Sequence, residues 1–241
     1  MRADVDKHIA LINALNRHKQ VFHRIVNFNP KKDRLLKMDL TEDNNALTPV
    51  IYSSTEKFSE WVSAQIHKNK YRYAIGGYNE KRAIYAASSH FDDGDEPRRL
   101  HLGLDIWGPS GTSVYAFMGG TVHSFGYNGA DGDYGATLIL LHQLDGIPFY
   151  TLYGHISKRD IENLSPGNYF VRGQEIAHFG EPIENGNWPS HLHFQLIMDM
   201  ELKQGDYPGV CKFSEREKWL VNCPDPDLVA NMMAYAEGAD S

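Results

Sequence analysis

The chain has 241 residues, of which 41% are hydrophobic and 23% charged, so it is long enough to bury a core without covalent cross-links. Its 31 acidic and 24 basic residues give a formal net charge of -7 at pH 7. This balance argues against nucleic acid as a partner, because phosphate binding needs a basic surface. No apolar stretch has the length of a membrane span.

The first 95 residues are predicted to form a helical extension. Apolar residues at helical spacing predict an amphipathic helix from Ala3 to about Ile25. A polar connection follows, and a second helix is expected to begin near Thr55 and to end near Asn69. Residues 71–88 are expected to be extended, with a break at the two glycines 76 and 77, and residues 90–97 form a loop.

The N-terminus carries Asp4 and Asp6 and lacks the apolar run that a secretory signal requires. This predicts a cytoplasmic location, and a periplasmic or extracellular one if the sequence starts at a trimmed N-terminus. Two cysteines, Cys211 and Cys223, stand outside any CxxC pair. A pair of reduced thiols is favoured, and a single disulfide is the open alternative.

From about residue 96 the sequence changes to short β-branched and aromatic runs separated by Gly, Asp, Asn and Pro. The candidate strands are SVYAF, GTVHSF, ATLILLH, PFYTLYGH, QEIAHFG and HLHFQLIM. Short connections without intervening helices favour an antiparallel sheet, curled or sandwiched. We therefore predict an α+β protein with a mainly antiparallel β domain at residues 96–200 and a helical tail at 201–241.

Two short motifs in the β domain, HLGLD and SHLHF, place polar side chains on one side of apolar-backed strands. With a two-residue period, His101, Gly103 and Asp105 share one face, and His191 and His193 share another. Two imidazoles and one carboxylate are a common ligand set for a catalytic Zn²⁺ with one position open to water. The predicted ligands are His101, Asp105 and His193, supplied by two strands.

Two further histidines are candidates for proton transfer. The chain has no HExxH motif, so the glutamate base of that metalloprotease class is missing. His155 at the end of LYGH and His191, two residues from His193, are imidazoles that can accept or donate a proton or hydrogen-bond an oxyanion.

The motifs resemble those of the lysostaphin-type zinc metallopeptidases, which cut the peptide part of peptidoglycan. The HxxxD motif matches His101 and Asp105, the HxH motif matches His191 and His193, and LYGH matches His155. The resemblance covers about residues 100–198 and includes the phrases GTSVYAFMGGTV, YGATLILLH and VRGQEIAHFG. It implies a β-hairpin core, Zn²⁺ bound by His101, Asp105 and His193, His155 and His191 as catalytic histidines, and endopeptidase cleavage next to glycine or D-alanine.

Two alternatives stay open. The segment before the HxH motif is EPIENGNWPS, with Trp188 and Pro189, where the family usually has small residues, so the substrate preference is not fixed. The missing signal favours an intracellular hydrolase of small peptides or amides. A zinc-binding module without peptidase activity is the second alternative, against which the complete set of spare histidines argues.

The remaining candidates have a structural explanation. Seven histidines outside the motifs are expected to be structural: His8, His18, His23, His67, His90, His123 and His178. His142 closes an apolar strand and is also expected to be structural. Asp131 and Asp133 are assigned to a turn instead of a calcium site. Five aromatic residues are candidates for either the substrate groove or the core: Trp107, Tyr115, Tyr134, Tyr153 and Trp188.

Overall fold

The structure is a computed structural model that describes residues 2–68, 70–92 and 94–238. Within these ranges, five α-helices, α1 to α5, cover Arg2–His18, Pro49–Tyr52, Thr55–Lys68, Arg216–Asn222 and Asp227–Ala230. The strands β1 to β13 cover Leu35–Lys37, Tyr73–Gly76, Arg98–His101, Leu104–Trp107, Ser113–Tyr115, Gly120–Asn128, Gly135–Leu144, Ile147–Ile156, Tyr169–Phe170, Glu175–His178, His191–Ile197, Val210–Lys212 and Ala236–Glu237.

Nine strands form one sheet in the order β13-β1-β2-β4-β11-β8-β7-β6-β9. From β2 to β9 every neighbouring pair is antiparallel, whereas β1 is parallel to both β2 and β13. Two further antiparallel pairs, β5 with β10 and β3 with β12, complete the strand pairing. The predicted α+β class with a mainly antiparallel sheet is confirmed.

The six candidate strands of the β domain all form, as β5, β6, β7, β8, β10 and β11. The tightest connection is between β7 and β8, where Asp145 and Gly146 have φ angles of 50° and 80°. Positive φ at both positions of a two-residue loop is the geometry that matches the twist of a hairpin, and Asp-Gly is a preferred sequence for it. The central strands are buried on both faces, because Leu138, Leu140 and Phe149 pack into one core cluster and Ile139 and Leu152 into another.

The N-terminal segment is not wholly helical, in contrast to the prediction. Its strands β1 and β2 extend the sheet beyond β4, with Leu35 and Leu36 buried on opposite faces. The first helix ends at His18, about two turns before the predicted end, and a 3-10 turn at Lys19–Val21 follows. The second predicted helix forms as α3, with Phe58, Val62 and Ile66 on its buried side.

The C-terminal segment packs against the N-terminal one. His8 Nδ1–H on α1 donates to the carbonyl oxygen of Val221 on α4 at 2.8 Å. The predicted helical tail contains only short helices, and α5 ends at Ala230, where Asn231 follows in a left-handed conformation (φ 48°). Among the described residues, no helix combines the length and apolarity needed to cross a bilayer.

Candidate metal centre

Three strands bring His101, Asp105 and His193 together. His101 is the last residue of β3, Asp105 lies in β4, and His193 lies in β11 directly opposite Asp105. The motif HLGLD is therefore two strands with a bend at residues 102 and 103, so the three residues come from three strands and not from two as predicted. All three are at most 2% exposed, and one ligand atom of each lies within 4.8 Å of the others.

Gly103 lies in this bend, directly against the His193 ring. A Cβ atom at this position would lie 2.4 Å from Cε1 of His193, well inside van der Waals contact. The glycine therefore leaves the space that the His193 imidazole fills. In the sequence this residue looked like a simple member of an alternating strand.

The other ring nitrogen of each imidazole has a partner that fixes its tautomer. His101 Nδ1–H donates to the carbonyl oxygen of Gly77 at 2.9 Å, and His193 Nε2–H donates to Oε1 of Gln195 at 2.8 Å. The neutral rings therefore direct unprotonated atoms at each other: His101 Nε2 and His193 Nδ1 are 2.9 Å apart.

Asp105 adds a third acceptor to the same point. Its Oδ1 lies 3.3 Å from His101 Nε2 and 3.1 Å from His193 Nδ1. Three acceptors without a proton between them repel one another unless a cation binds there. Atoms bound tetrahedrally to Zn²⁺ at about 2.1 Å are about 3.4 Å apart, so this donor set fits the ion.

At neutral pH the structure favours a neutral His101 and an ionised Asp105. Burial and the nearby Arg82 cation lower the pKa of His101 to about 3. Burial alone would raise the pKa of Asp105, but His101 and Arg82 hold it well below its usual range. A neutral imidazole and an ionised carboxylate are the forms that bind a metal without first losing a proton.

His155 and His191 form a second pair beside this cluster, with ring centroids 4.1 Å apart. His155 Nδ1–H donates to the Asn185 carbonyl oxygen and His191 Nδ1–H to the Pro189 carbonyl oxygen, each at 2.7 Å. Each ring therefore keeps Nε2 as its free acceptor. His191 Nε2 lies 3.9 Å from Asp105 Oδ2.

Both rings of this pair are buried, and the backbone of His155 is strained. Burial lowers the pKa of His191 to about 4, and burial together with the neighbouring His191 lowers the pKa of His155 well below its ordinary value. His155 has a φ of 59°, a conformation that is uncommon for residues other than glycine and that is found at functional sites. Trp107 stacks on the His191 ring at 5.8 Å.

All five residues line one cleft with a volume of about 250 Å³. Three of the five aromatic candidates, Trp107, Tyr134 and Trp188, line it as well, and so does His90, which had been assigned a structural role. Tyr153 belongs to the core, and Tyr115 lies on β5 beside His23. Much of the wall comes from outside the β domain, through Phe58, Ile84, Tyr85, Phe91 and the segment 206–210.

The other polar candidates do not belong to the ligand cluster, although Asp133 lines the cleft. His142 Nδ1–H donates to the Gly119 carbonyl oxygen and its Nε2 accepts from the Thr151 hydroxyl, which is the expected structural role. Asp131 and Asp133 lie in the loop between β6 and β7. Cys211 and Cys223 are free and buried, and burial raises the pKa of each thiol to about 12.

Three residues that contact the ligands were missed in the sequence. Arg82 donates to Asp105 Oδ2 at 2.5 Å, and Gln195 and Gly77 hold the two ligand imidazoles. Gln195 stands two residues after His193 on the same strand face, so the two-residue period offered a signal for it. For Arg82 and Gly77, which precede the motif by about 20 residues in an irregular segment, no local signal exists.

Residues 99–204 match the model of Peptidase family M23. The DD-carboxypeptidase/endopeptidase Mpg of Neisseria meningitidis serogroup B is 33% identical over 125 residues, which are 50% of this chain and 26% of that protein. The chain thus spans about a quarter of the length of this curated relative. The match confirms the resemblance to this group of peptidases that the motifs indicated.

Solved structures of peptidases are also similar to this chain. A zinc-containing peptidase from Vibrio cholerae has 27% sequence identity and a TM-score of 0.32, with 41% of this chain and 27% of that chain covered. The catalytic domain of lysostaphin from Staphylococcus simulans has 20% identity and a TM-score of 0.37, with 67% of this chain and 96% of that chain covered.

Proposed function

We propose that the chain is a zinc-dependent endopeptidase of Peptidase family M23, whose model residues 99–204 match, and that it cleaves peptides of the peptidoglycan type that contain glycine or D-alanine. The observation that carries the proposal is that His101 Nε2, His193 Nδ1 and Asp105 Oδ1 lie within 3.3 Å of one another. The other ring nitrogen of each histidine is hydrogen-bonded to a different partner. The Mpg relative, described as a DD-carboxypeptidase/endopeptidase, supports the reaction class.

The three ligand residues would hold Zn²⁺. The ion would polarise the scissile carbonyl and lower the pKa of a water molecule to about 7. The protein must then move a proton from the attacking water to the amine that leaves, because a peptide nitrogen is a poor leaving group until it is protonated.

His155 and His191 have the properties for this proton transfer. Each uses Nδ1–H to donate to a backbone carbonyl, so Nε2 is the atom that accepts a proton and returns it. Their lowered pKa values keep both rings neutral before the reaction. A ring that has taken up a proton in this buried site is a strong acid, which favours its transfer to the leaving amine. Either imidazolium would also donate a hydrogen bond to the developing oxyanion.

A hydrolase of short peptides is the second candidate, and the shape of the cleft favours it. Segments outside the M23 domain line part of the cleft, whose volume is about 250 Å³. Pockets for drug-sized ligands have roughly 300–1,000 Å³, so the cleft is small for a cross-linked polymer. Hydrolysis of short peptides without hydrolysis of muropeptides would favour this candidate.

The two candidates are tested with the zinc-loaded protein and two sets of substrates, purified muropeptides and short glycine-containing peptides. The endopeptidase proposal predicts new amine ends in the muropeptides, loss of activity on chelation and recovery on adding Zn²⁺. The double variant His155→Ala with His191→Ala is the control for contaminating peptidases. Zinc binding without hydrolysis of either set would favour a module that binds metal only.

A further inference from the structure

Arg82 is a charged residue buried beside the metal-ligand cluster, 3% exposed, and it lies outside the M23 domain. Its backbone N–H donates to the carbonyl oxygen of Arg99 at 2.9 Å, two residues before His101. A 3-10 turn at Ile84–Ala87 follows it. The backbone that carries Arg82 is therefore tied to the strand that ends at the first ligand.

The guanidinium has a partner in nearly every direction. Nη1 donates to Asp105 Oδ2 at 2.5 Å and to the Tyr85 hydroxyl at 3.2 Å, and Nε donates to Glu80 Oε1 at 2.9 Å. Nη2 lies 3.4 Å from the Gly76 carbonyl oxygen. Burying an arginine is costly unless such partners compensate, so this arrangement is built into the fold.

The two oxygens of Asp105 consequently face different partners. Oδ1 is directed at the two ligand imidazoles, at 3.1 and 3.3 Å, while Oδ2 is directed at Arg82 at 2.5 Å and at His191 at 3.9 Å. We propose that Arg82 is a positioning residue for the metal centre, which engages Asp105 Oδ2 and leaves Oδ1 as the one carboxylate atom for the ion. The inference rests on the proposed metal site.

The contact between Arg82 and Asp105 Oδ2 limits the number of protein atoms that can bind the ion. A carboxylate that offers one oxygen, with two imidazoles, makes a three-ligand set and leaves one tetrahedral position open for water. If Oδ2 were free, Asp105 could bind the ion with both oxygens, which would crowd that position and make the ion with its water five-coordinate. Arg82 thus protects the open position, and it does so from a segment outside the domain that carries the ligands.

The positioning contact of Arg82 and its positive charge predict opposite changes in Zn²⁺ affinity when the residue is replaced. A guanidinium repels a nearby divalent cation, so its charge alone would weaken metal binding and its removal would strengthen it. A positioning contact acts the other way, because removal of such an outer partner weakens metal affinity by about 10- to 100-fold. A lower Zn²⁺ affinity after replacement of Arg82 therefore indicates a positioning role, whereas a higher affinity indicates that charge repulsion dominates.

The test compares the wild-type chain with Arg82→Met, Arg82→Lys and Glu80→Gln. Zn²⁺ affinity is measured by competition with a chromophoric chelator, and the coordination number is read from the visible spectrum of the Co²⁺ form. Thermal unfolding of the metal-free proteins checks that each variant is folded. Glu80→Gln keeps the contact between Arg82 and Asp105 and serves as the matched control.

We expect Arg82→Met to bind Zn²⁺ about 10- to 100-fold more weakly than wild type. Its Co²⁺ spectrum should lose intensity, because a five-coordinate cobalt ion absorbs less than a tetrahedral one. Arg82→Lys keeps a cation but lacks the planar guanidinium, so its Zn²⁺ affinity and Co²⁺ intensity should lie between those of wild type and Arg82→Met. Glu80→Gln should keep the wild-type spectrum. If Arg82→Met does not fold, Arg82→Lys carries the test, with a weaker affinity and a changed spectrum expected.

Unchanged or tighter Zn²⁺ binding with an unchanged Co²⁺ spectrum, in Arg82→Met or, if that variant is unfolded, in Arg82→Lys, would overturn the inference. Failure of the wild-type chain to bind Zn²⁺ at all would instead overturn the proposed function. The two failures are thus distinguished by the wild-type titration alone.

Discussion

His193 lies directly opposite Asp105 in the antiparallel pair of β4 and β11, and its Nδ1 is 3.1 Å from Asp105 Oδ1. On its other side, His193 is paired with Gly154 on β8, the residue before His155. The register of three adjacent strands therefore sets the ligand cluster and the proton-transfer pair side by side. A slip of one residue would turn these side chains to the opposite face of the sheet.

The first prediction separates metal ligands from proton-transfer residues. His193→Ala should lose Zn²⁺, because two ligands remain, whereas His155→Ala should keep Zn²⁺ and lose about 10²- to 10⁴-fold in turnover. Metal content and the rate of peptide hydrolysis are measured on the same samples. His67→Ala, at an exposed position on α3, is the matched control. Equal loss of metal in both site variants would contradict the division of roles.

The second prediction concerns Gly103. Gly103→Ala should displace the His193 imidazole, because the added Cβ would lie 2.4 Å from Cε1 of that ring. We expect weaker Zn²⁺ binding and a loss of about 1–3 kcal/mol in the free energy of unfolding. Gly238→Ala is the control, since a Cβ there meets nothing within 4 Å. Wild-type Zn²⁺ affinity in Gly103→Ala would show that the close approach does not constrain the ligand.

The third prediction concerns the partner of the His193 imidazole. Gln195→Met removes the acceptor for His193 Nε2–H and should weaken Zn²⁺ binding by about 10- to 100-fold. Gln195→Glu keeps an acceptor at the same place and should bind Zn²⁺ more tightly than Gln195→Met. Competition with a chelator gives both affinities. Equal affinities in the two variants would mean that this hydrogen bond does not orient the ligand.

The fourth prediction is a pH dependence of stability that arises away from the site, at His142. Burial lowers the pKa of His142 to about 4 from an ordinary value of 6.5, so the unfolded chain binds its proton at a higher pH than the folded chain does. The neutral ring therefore stabilises the fold above about pH 6.5, and this contribution is lost as the pH falls from 6.5 towards 4.

The size of this effect follows from the same shift. Between pH 7 and pH 5 His142 should account for a loss of roughly 2 kcal/mol in the free energy of unfolding. His142→Gln can keep hydrogen bonds to Gly119 and Thr151 without titrating, so its stability should fall less over this interval. Denaturant unfolding at the two pH values gives the comparison, and identical losses in wild type and variant would exclude His142 as the source.

Much of the fold and the candidate site followed from local patterns. The runs ATLILLH and PFYTLYGH with a short connection between them indicated the hairpin of β7 and β8, and the two-residue period placed His191 and His193 on one face. Such signals are strong because neighbouring residues determine them. The same holds for α3, whose buried residues repeat at helical spacing.

The remaining features depend on contacts between distant segments. Strands β1 and β13 have three and two residues and pair in parallel across about 200 positions, so no periodicity can reveal them. The His193 ring fills the space next to Gly103, and only the assembled fold shows that this position cannot take a side chain without displacing the ring. Arg82 looked like one charge among many in a segment expected to be extended, and only the assembled fold places it on Asp105.

The most direct test of the metal centre is an anomalous diffraction map, measured at the zinc absorption edge, from crystals of the chain grown with Zn²⁺. We predict one peak at about 2.0–2.2 Å from His101 Nε2, Asp105 Oδ1 and His193 Nδ1, with Asp105 Oδ2 still bound to Arg82. A well-ordered site without a peak, or a peak held by other residues, would contradict this prediction.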